Sequence, residues 1–194
     1  MIRIVVFYLA IQLNGFLLSL YLQEYMTIEG IVLLQLVLLS VTCLEIARHK
    51  TVQAKNITLR NRLRWFLLGF VAMVAFAVFI SFLFPVQTKN QAVLVQVGKQ
   101  VPHLIFLLFL VNASLLEEIV YRQLLWEKLT FPFVQIGVTS FLFVLAHSPI
   151  QLGSWLIYSC LGLTLAVVRL KTDCMTAIAL HLLWNSLAYV VTFL

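Results

Sequence analysis

Residues 104–125 read LIFLLFLVNASLLEEIVYRQLL, an almost unbroken hydrocarbon run that contains two adjacent carboxylates, Glu117 and Glu118, and a guanidinium at Arg122. A run of this length matches the roughly 20 apolar residues a helix needs to cross about 30 Å of hydrocarbon. Each ionised side chain near a bilayer centre costs on the order of 2.5–3.5 kcal/mol on insertion scales. A chain that keeps three of them within little more than one helical turn is using them. The stretch therefore implies a membrane helix that carries chemistry.

The rest of the chain agrees on class. Hydrophobic residues make up 63% of the 194 and charged residues only 10%, with a mean hydropathy of +1.06. That lies far outside the range of soluble domains. The fold class expected is all-α, a polytopic transmembrane bundle of about seven helices: Ile4–Leu22, Ile31–Ala47, Trp65–Phe84, Val101–Trp126, Pro132–His147, Trp155–Leu170 and Cys174–Phe193. No repeat or low-complexity linker divides them, so residues 1–194 are read as a single transmembrane domain. The apolar N-terminal run could imitate a signal peptide, but no small-residue cleavage site follows it, and it is kept as the first span. Cys43, Cys160 and Cys174 are isolated, odd in number and free of any CxxC pattern, which suits packing residues.

Charge placement orients the chain. With the N-terminus in the cytoplasm, Arg3, Arg48, Lys50, Lys55, Arg60, Arg62, Arg64, Arg122, Lys128, Arg169 and Lys171 fall on the inner side, 11 of the 13 basic residues. Only Lys89 and Lys99 remain outside, and Glu24 and Glu29 occupy the first external loop. The positive-inside bias thus predicts a multi-pass protein of the cell membrane with a cytoplasmic N-terminus. The basic residues sit between spans, so the pI of 9.5 points to lipid contact and not to nucleic acid.

Six polar residues of the second half ask for one account: Glu117, Glu118 and Arg122 on the fourth span, His147 ending the fifth, and His181 and Asn185 on the seventh. Glu118 and Arg122 are spaced i,i+4, on one helical face with the acid first, and read mainly as a structural ion pair. Glu117 points about 100° away and lacks that partner. His181 and Asn185 are also i,i+4 and present imidazole and carboxamide to one place. The fourth and fifth spans form a hairpin at Thr130–Phe131–Pro132, with Pro132 suited to a first helical turn. Glu117 and His147 are then each roughly 20–24 Å from its apex, at a shared level, and His181 lies about 15 Å in from the same face. Taken singly, each histidine reads as an interhelical hydrogen-bond partner. Glu45 reads as interfacial, His49 and His103 as solvated, and Gln12, Asn14 and Asn112 as packing contacts.

Glu117-Glu118-Ile119-Val120-Tyr121-Arg122 resembles the EExxxR motif of the CPBP family, the CAAX proteases and bacteriocin-processing enzymes also called the Abi family. Phe143-Val144-Leu145-Ala146-His147 is similar to its FxxxH motif and His181-Leu182-Leu183-Trp184-Asn185 to its HxxxN motif. Each motif alone is weak; in order, on successive membrane spans, they are specific. They mark a motif-bearing core at about 101–193, and the first three spans carry none. The resemblance implies an intramembrane endopeptidase acting on a peptide or protein substrate within or at the membrane. It implies that Glu117 and His147 activate the attacking water, that His181 and Asn185 stabilise the oxyanion, and that Glu118 and Arg122 support the site. The chemistry suits these roles, since a carboxylate can serve as base and then as acid, and an Asn amide is a fitting oxyanion donor.

Two questions stay open at this level. Glu117, His147 and His181 with a water would make an acceptable zinc site. The lack of HExxH spacing and the poor ligand quality of Asn favour a metal-free glutamate mechanism. A non-catalytic bacteriocin self-immunity protein or membrane regulatory partner would use the same cluster to bind a peptide or hold the bundle together. A transporter with a proton relay ranks behind both, because no inverted repeat is visible.

Overall fold

Hydropathy alone requires that every apolar run satisfy its backbone internally, and in lipid a helix does this within one segment. The computed structural model describes residues 1–48, 56–84 and 89–193, and its elements are all helical among them. They are α1 (Ile2–Leu22), α2 (Ile28–Arg48), α3 (Leu59–Leu83), α4 (Lys89–Gln100), α5 (His103–Glu118), α6 (Pro132–Ala146), α7 (Leu152–Lys171) and α8 (Cys174–Phe193). Every span expected from the sequence is present. Several begin earlier than the apolar run does, because polar residues extend the first turns. In α3 the Arg60–Arg64 segment is already helical, and the Thr58 hydroxyl caps it by accepting from the Asn61 N–H at 3.3 Å. His49, Lys50 and Lys55 lie outside the described residues.

Three features depart from the expectation. α4 was not anticipated, since its sequence KNQAVLVQVGKQ mixes polar and apolar residues too evenly to read as a span. The span expected at Val101–Trp126 is not one regular helix: α5 is α-helical to Glu118, continues as a π-helical segment over Ile119–Leu124, and ends in a 3-10 turn at Trp126–Lys128. α6 has 15 residues, about 22 Å of rise, and stops short of the full hydrocarbon thickness. Among the described residues, six helical stretches are long and apolar enough to cross a membrane, with α5 and its continuation forming one of them over His103–Lys128. The chain is a multi-pass membrane protein built as a helical bundle.

α5 and its π continuation occupy the middle. α5 packs against α1, α2 and α8, while α7 packs against α3, α6 and α8. Of the residues from Leu110 to Trp126, thirteen are buried, including Glu118 and Arg122 at 0% exposure. The other helices turn large apolar side chains outward, among them Phe82 at 88% and Phe133 at 74%, as lipid-facing surfaces do. Small residues permit the closest approaches. A Cβ on Gly162 of α7 would stand 3.3 Å from Ser140 and Phe143 of α6, and one on Gly69 of α3 would meet Leu180 and Val168 at under 3.0 Å.

One end of the bundle collects the basic residues and ties them down. Arg3 reaches Glu45 at 3.7 Å, Arg62 pairs with the buried Asp173 at 2.6 Å, and the Asn61 amide donates to the Lys171 carbonyl at 3.5 Å. Arg169 lies over the Trp126 ring and Lys171 over that of Trp65. The Glu45 side chain is 14% exposed, at this rim, as an interfacial residue should be. Arg122 does not belong to this group. It was counted with the inner-face charges, but the structure buries it entirely in the bundle.

Candidate active site

Four helical segments meet around Glu117. It sits in the last turn of α5, and its carboxylate oxygen Oε2 is 3.8 Å from His147 Nε2 and 4.0 Å from His181 Nε2. These separations are too long for direct hydrogen bonds, and the buried Glu117 Oε2 has no hydrogen-bond partner among the described residues. Glu117 and His147 retain slight exposure, 14% and 13%, whereas His181 is buried at 3%. The site thus lies inside the bundle with a narrow opening.

Each imidazole is held by its other nitrogen. His147 follows α6, and its Nδ1 lies 2.8 Å from the Phe143 carbonyl one turn back. A carbonyl can only accept, so Nδ1 carries a proton, and in the neutral ring Nε2 presents a lone pair toward Glu117. His181 Nδ1 lies 3.0 Å from Glu118 Oε1, with Arg122 Nε 3.7 Å from the other carboxylate oxygen. The Glu118–Arg122 pair expected from the i,i+4 spacing is present, and Glu118 has a second, closer partner in His181 that an argument confined to one helix could not show.

Arg122 completes its own anchorage across the bundle, donating from a terminal nitrogen to the Gly162 carbonyl at 2.9 Å and standing 5.4 Å from the centre of the Phe143 ring. Arg169 in turn donates from Nε to the Arg122 carbonyl at 2.8 Å. A π-helical turn leaves carbonyls misaligned with the ordinary i→i−4 pattern, and such turns recur at functional sites. Leu125 N–H closes it onto the Val120 carbonyl at 2.9 Å.

Phe143, the aromatic of the FxxxH pattern, forms the floor. It is fully buried and contacts Tyr121 edge-on at 5.9 Å, His147 at 4.5 Å and His181 at 5.8 Å between ring centres. Tyr158 of α7 stacks on the opposite side of His147 at 4.3 Å. Ser148, just beyond His147, has a φ of +46°, a left-handed conformation that ends α6 abruptly and turns the chain away from the site.

Asn185 lies one turn beyond His181 on α8. Its amide donates to Ser114 Oγ at 2.8 Å, one turn before Glu118 on α5, so it borders the Glu117–His147–His181 group on the neighbouring rung. Sequence reasoning missed Ser114, because a serine in an apolar helix gives no signal of its own. It also missed Asp173, whose carboxylate accepts from the Thr176 N–H and hydroxyl at 2.9 and 2.8 Å and caps α8. An Asp directly before an apolar helix was the available clue. His103, expected to be solvated, is exposed but bonded to the Tyr189 hydroxyl at 2.5 Å.

Bonds of about 2.0–2.1 Å at tetrahedral angles place neighbouring ligand atoms about 3.4 Å apart. The Glu117 separations exceed this, and among the described residues no three His, Cys, Asp or Glu side chains are grouped closely enough to hold a metal ion.

Comparison with known proteins centres on the same segment. The chain is 31% identical over 107 residues to the UPF0177 protein YvdC of Lactococcus lactis subsp. lactis (strain IL1403), an alignment covering 54% of this chain. It spans only 41% of that protein. No solved structure matches. Residues 99–187 match the type II CAAX prenyl endopeptidase Rce1-like family, and that stretch contains all three motifs and every side chain around Glu117. The motif-bearing half of this membrane protein is thus similar to the Rce1-like family.

Proposed function

We propose that the protein is an intramembrane endopeptidase in which Glu117 and His147 activate water and His181 and Asn185 stabilise the oxyanion. The observation that carries this reading is the placement of Glu117 Oε2 midway between two imidazole nitrogens, each at water-bridging distance. A water held by Glu117 and by the His147 Nε2 lone pair attacks the scissile carbonyl carbon as Glu117 takes its proton. The carbonyl oxygen becomes negative and is met by the second N–H of the Asn185 amide and by His181. Collapse of the intermediate breaks the C–N bond, and Glu117 returns the proton to the leaving amine. His181 Nδ1 already faces Glu118, so Nε2 can donate only from a doubly protonated ring. Two carboxylates stand against the single guanidinium of Arg122, and that ring charge would balance the group.

The tests follow from these roles. Purified protein in lipid nanodiscs is offered a fluorogenic farnesylated CAAX peptide, the probe suggested by the family, and is co-expressed with candidate peptide precursors whose products are read by mass spectrometry. Cleavage by the native chain and its loss in Glu117→Gln support the proposal. Retained cleavage in that variant sinks it. Peptide binding that survives the substitution, with no cleavage by the native chain, identifies a self-immunity or regulatory partner instead.

Anchoring of both Nδ1 atoms also leaves two Nε2 atoms facing one carboxylate oxygen, a pattern that histidine ligands of metals share. Chelation separates the cases. A glutamate base keeps its activity in strong chelator, whereas a zinc-dependent site loses it and regains it with added Zn²⁺. We expect chelator resistance.

A further inference from the structure

We propose that Ser114 is a positioning residue for the oxyanion site: it fixes the Asn185 carboxamide, and with Glu118 it forms a template on α5 that sets the register of α8. The inference rests on the endopeptidase reading for its catalytic consequence, but its geometry stands by itself.

Ser114 and Glu118 are i,i+4 on α5, and His181 and Asn185 are i,i+4 on α8. Side chains at that spacing share one helical face. The contacts pair them in reverse order, Glu118 with His181 at 3.0 Å and Ser114 with Asn185 at 2.8 Å. Reverse pairing is what two antiparallel helices produce, so the bonds are successive rungs one turn apart. A one-residue slip of α8 against α5 would break both together.

The lower rung also settles which way the carboxamide faces. Ser114 is fully buried, and its hydroxyl donates to the Leu110 carbonyl at 2.9 Å. With its only proton committed, the serine oxygen can accept but not donate. Asn185 must therefore turn its NH₂ toward Ser114. One N–H is used there, and no described contact engages the second. An Asn whose amide rotated by 180° would present its carbonyl oxygen to a developing oxyanion and would repel it. Without Ser114 nothing else among the described contacts selects between these orientations. The serine touches neither water nor substrate; its effect passes through Asn185.

The experiment has two arms. In the first, the Ser114→Ala protein is labelled with ¹⁵N-asparagine in nanodiscs, and the Asn185 side-chain signal is assigned by its absence in Asn185→Ala. We expect that signal to shift and its protons to exchange at least tenfold faster. An unchanged signal overturns the proposal, whatever the protein's activity. In the second, turnover of the farnesylated CAAX probe is measured. Ser114→Ala should lower kcat about 10–100-fold, the usual effect of losing a group that orients a functional side chain, with KM unchanged. The same substitution in the Asn185→Ala background should have no further effect. Additive losses, or a loss expressed in KM, would show that Ser114 acts elsewhere. Failure of the parent reading is seen separately, as cleavage that survives Glu117→Gln.

Discussion

Two adjacent carboxylates in this chain do different work, and the difference is in their neighbours. Glu117 keeps a free oxygen facing two imidazoles and a trace of exposure; Glu118 is fully enclosed between His181 and Arg122. Glu117→Gln should accordingly give a protein that expresses and melts normally but does not cleave. Glu118→Gln removes the counter-charge of a guanidinium that cannot reach water, a loss of roughly 3–5 kcal/mol for a broken buried pair. Thermal melts in detergent check this, and equal melting temperatures for the two variants would contradict the division. Asn185→Ala should lower kcat by about 10²–10³ with KM little changed, as removal of one oxyanion donor does. An effect confined to KM would instead place Asn185 in substrate binding.

Among the elements, the close contact of α6 with α7 bears most directly on the site. Gly162 lets α7 approach Ser140 and Phe143, its carbonyl accepts from Arg122, and Phe143 supports both histidines. Gly162→Ala must push against backbone as well as side chain at 3.3 Å, an overpacking cost of about 1–3 kcal/mol. We expect a lower melting temperature and reduced turnover, because displacing Phe143 also displaces His147. Gly137→Ala on the same α6 is the control: nothing lies within 4 Å of the added carbon, and melting should be unchanged or raised. Equal effects of the two substitutions would refute the close-contact argument. The shortness of α6 has its own consequence. His147 sits at a helix end inside the bundle, where its Nδ1 can still bond the carbonyl four residues back while its ring lies against Tyr158.

At the scale of the whole molecule, the basic rim gives an orientation that can be tested. Arg3, Arg62, Arg169 and Lys171 lie at one end, joined across helices α1, α2, α3 and α7, with Lys99 in the last turn of α4 at the far end of α5 from Lys128. From the positive-inside bias we propose a cytoplasmic N-terminus. In a cysteine-free background expressed in intact cells, Lys99→Cys should react with a membrane-impermeant maleimide and Lys128→Cys should react only after permeabilisation. The reverse labelling would invert the topology. Core packing does not divide the chain, for one buried cluster draws Phe7, Leu38, Met73, Leu116, Phe143, Leu165 and Leu180 together from first helix to last. The motif-free N-terminal helices therefore brace α5, as the Asn14 amide does by donating to the Phe109 carbonyl at 3.0 Å and Asn112 by donating to the Gln35 carbonyl at 3.0 Å.

The sequence by itself determined the class, the membrane helices and the three polar patterns, because hydropathy over 20 residues and i,i+4 spacing are local properties of one chain segment. The common level of Glu117, His147 and His181 was also legible, since rise per residue turns a hairpin into a depth. Which group bonds which was decided only by tertiary structure. The preference of Glu118 for His181, the pairing of Ser114 with Asn185 and the full burial of Arg122 each depend on the distance and rotation between two helices. No periodicity within either helix encodes those quantities. The π-helical turn after Glu118 belongs to the same group. It sits among buried residues contributed by α1, α6 and α8, and packing against them, not the propensity of Ile119–Leu124, decides how that turn winds.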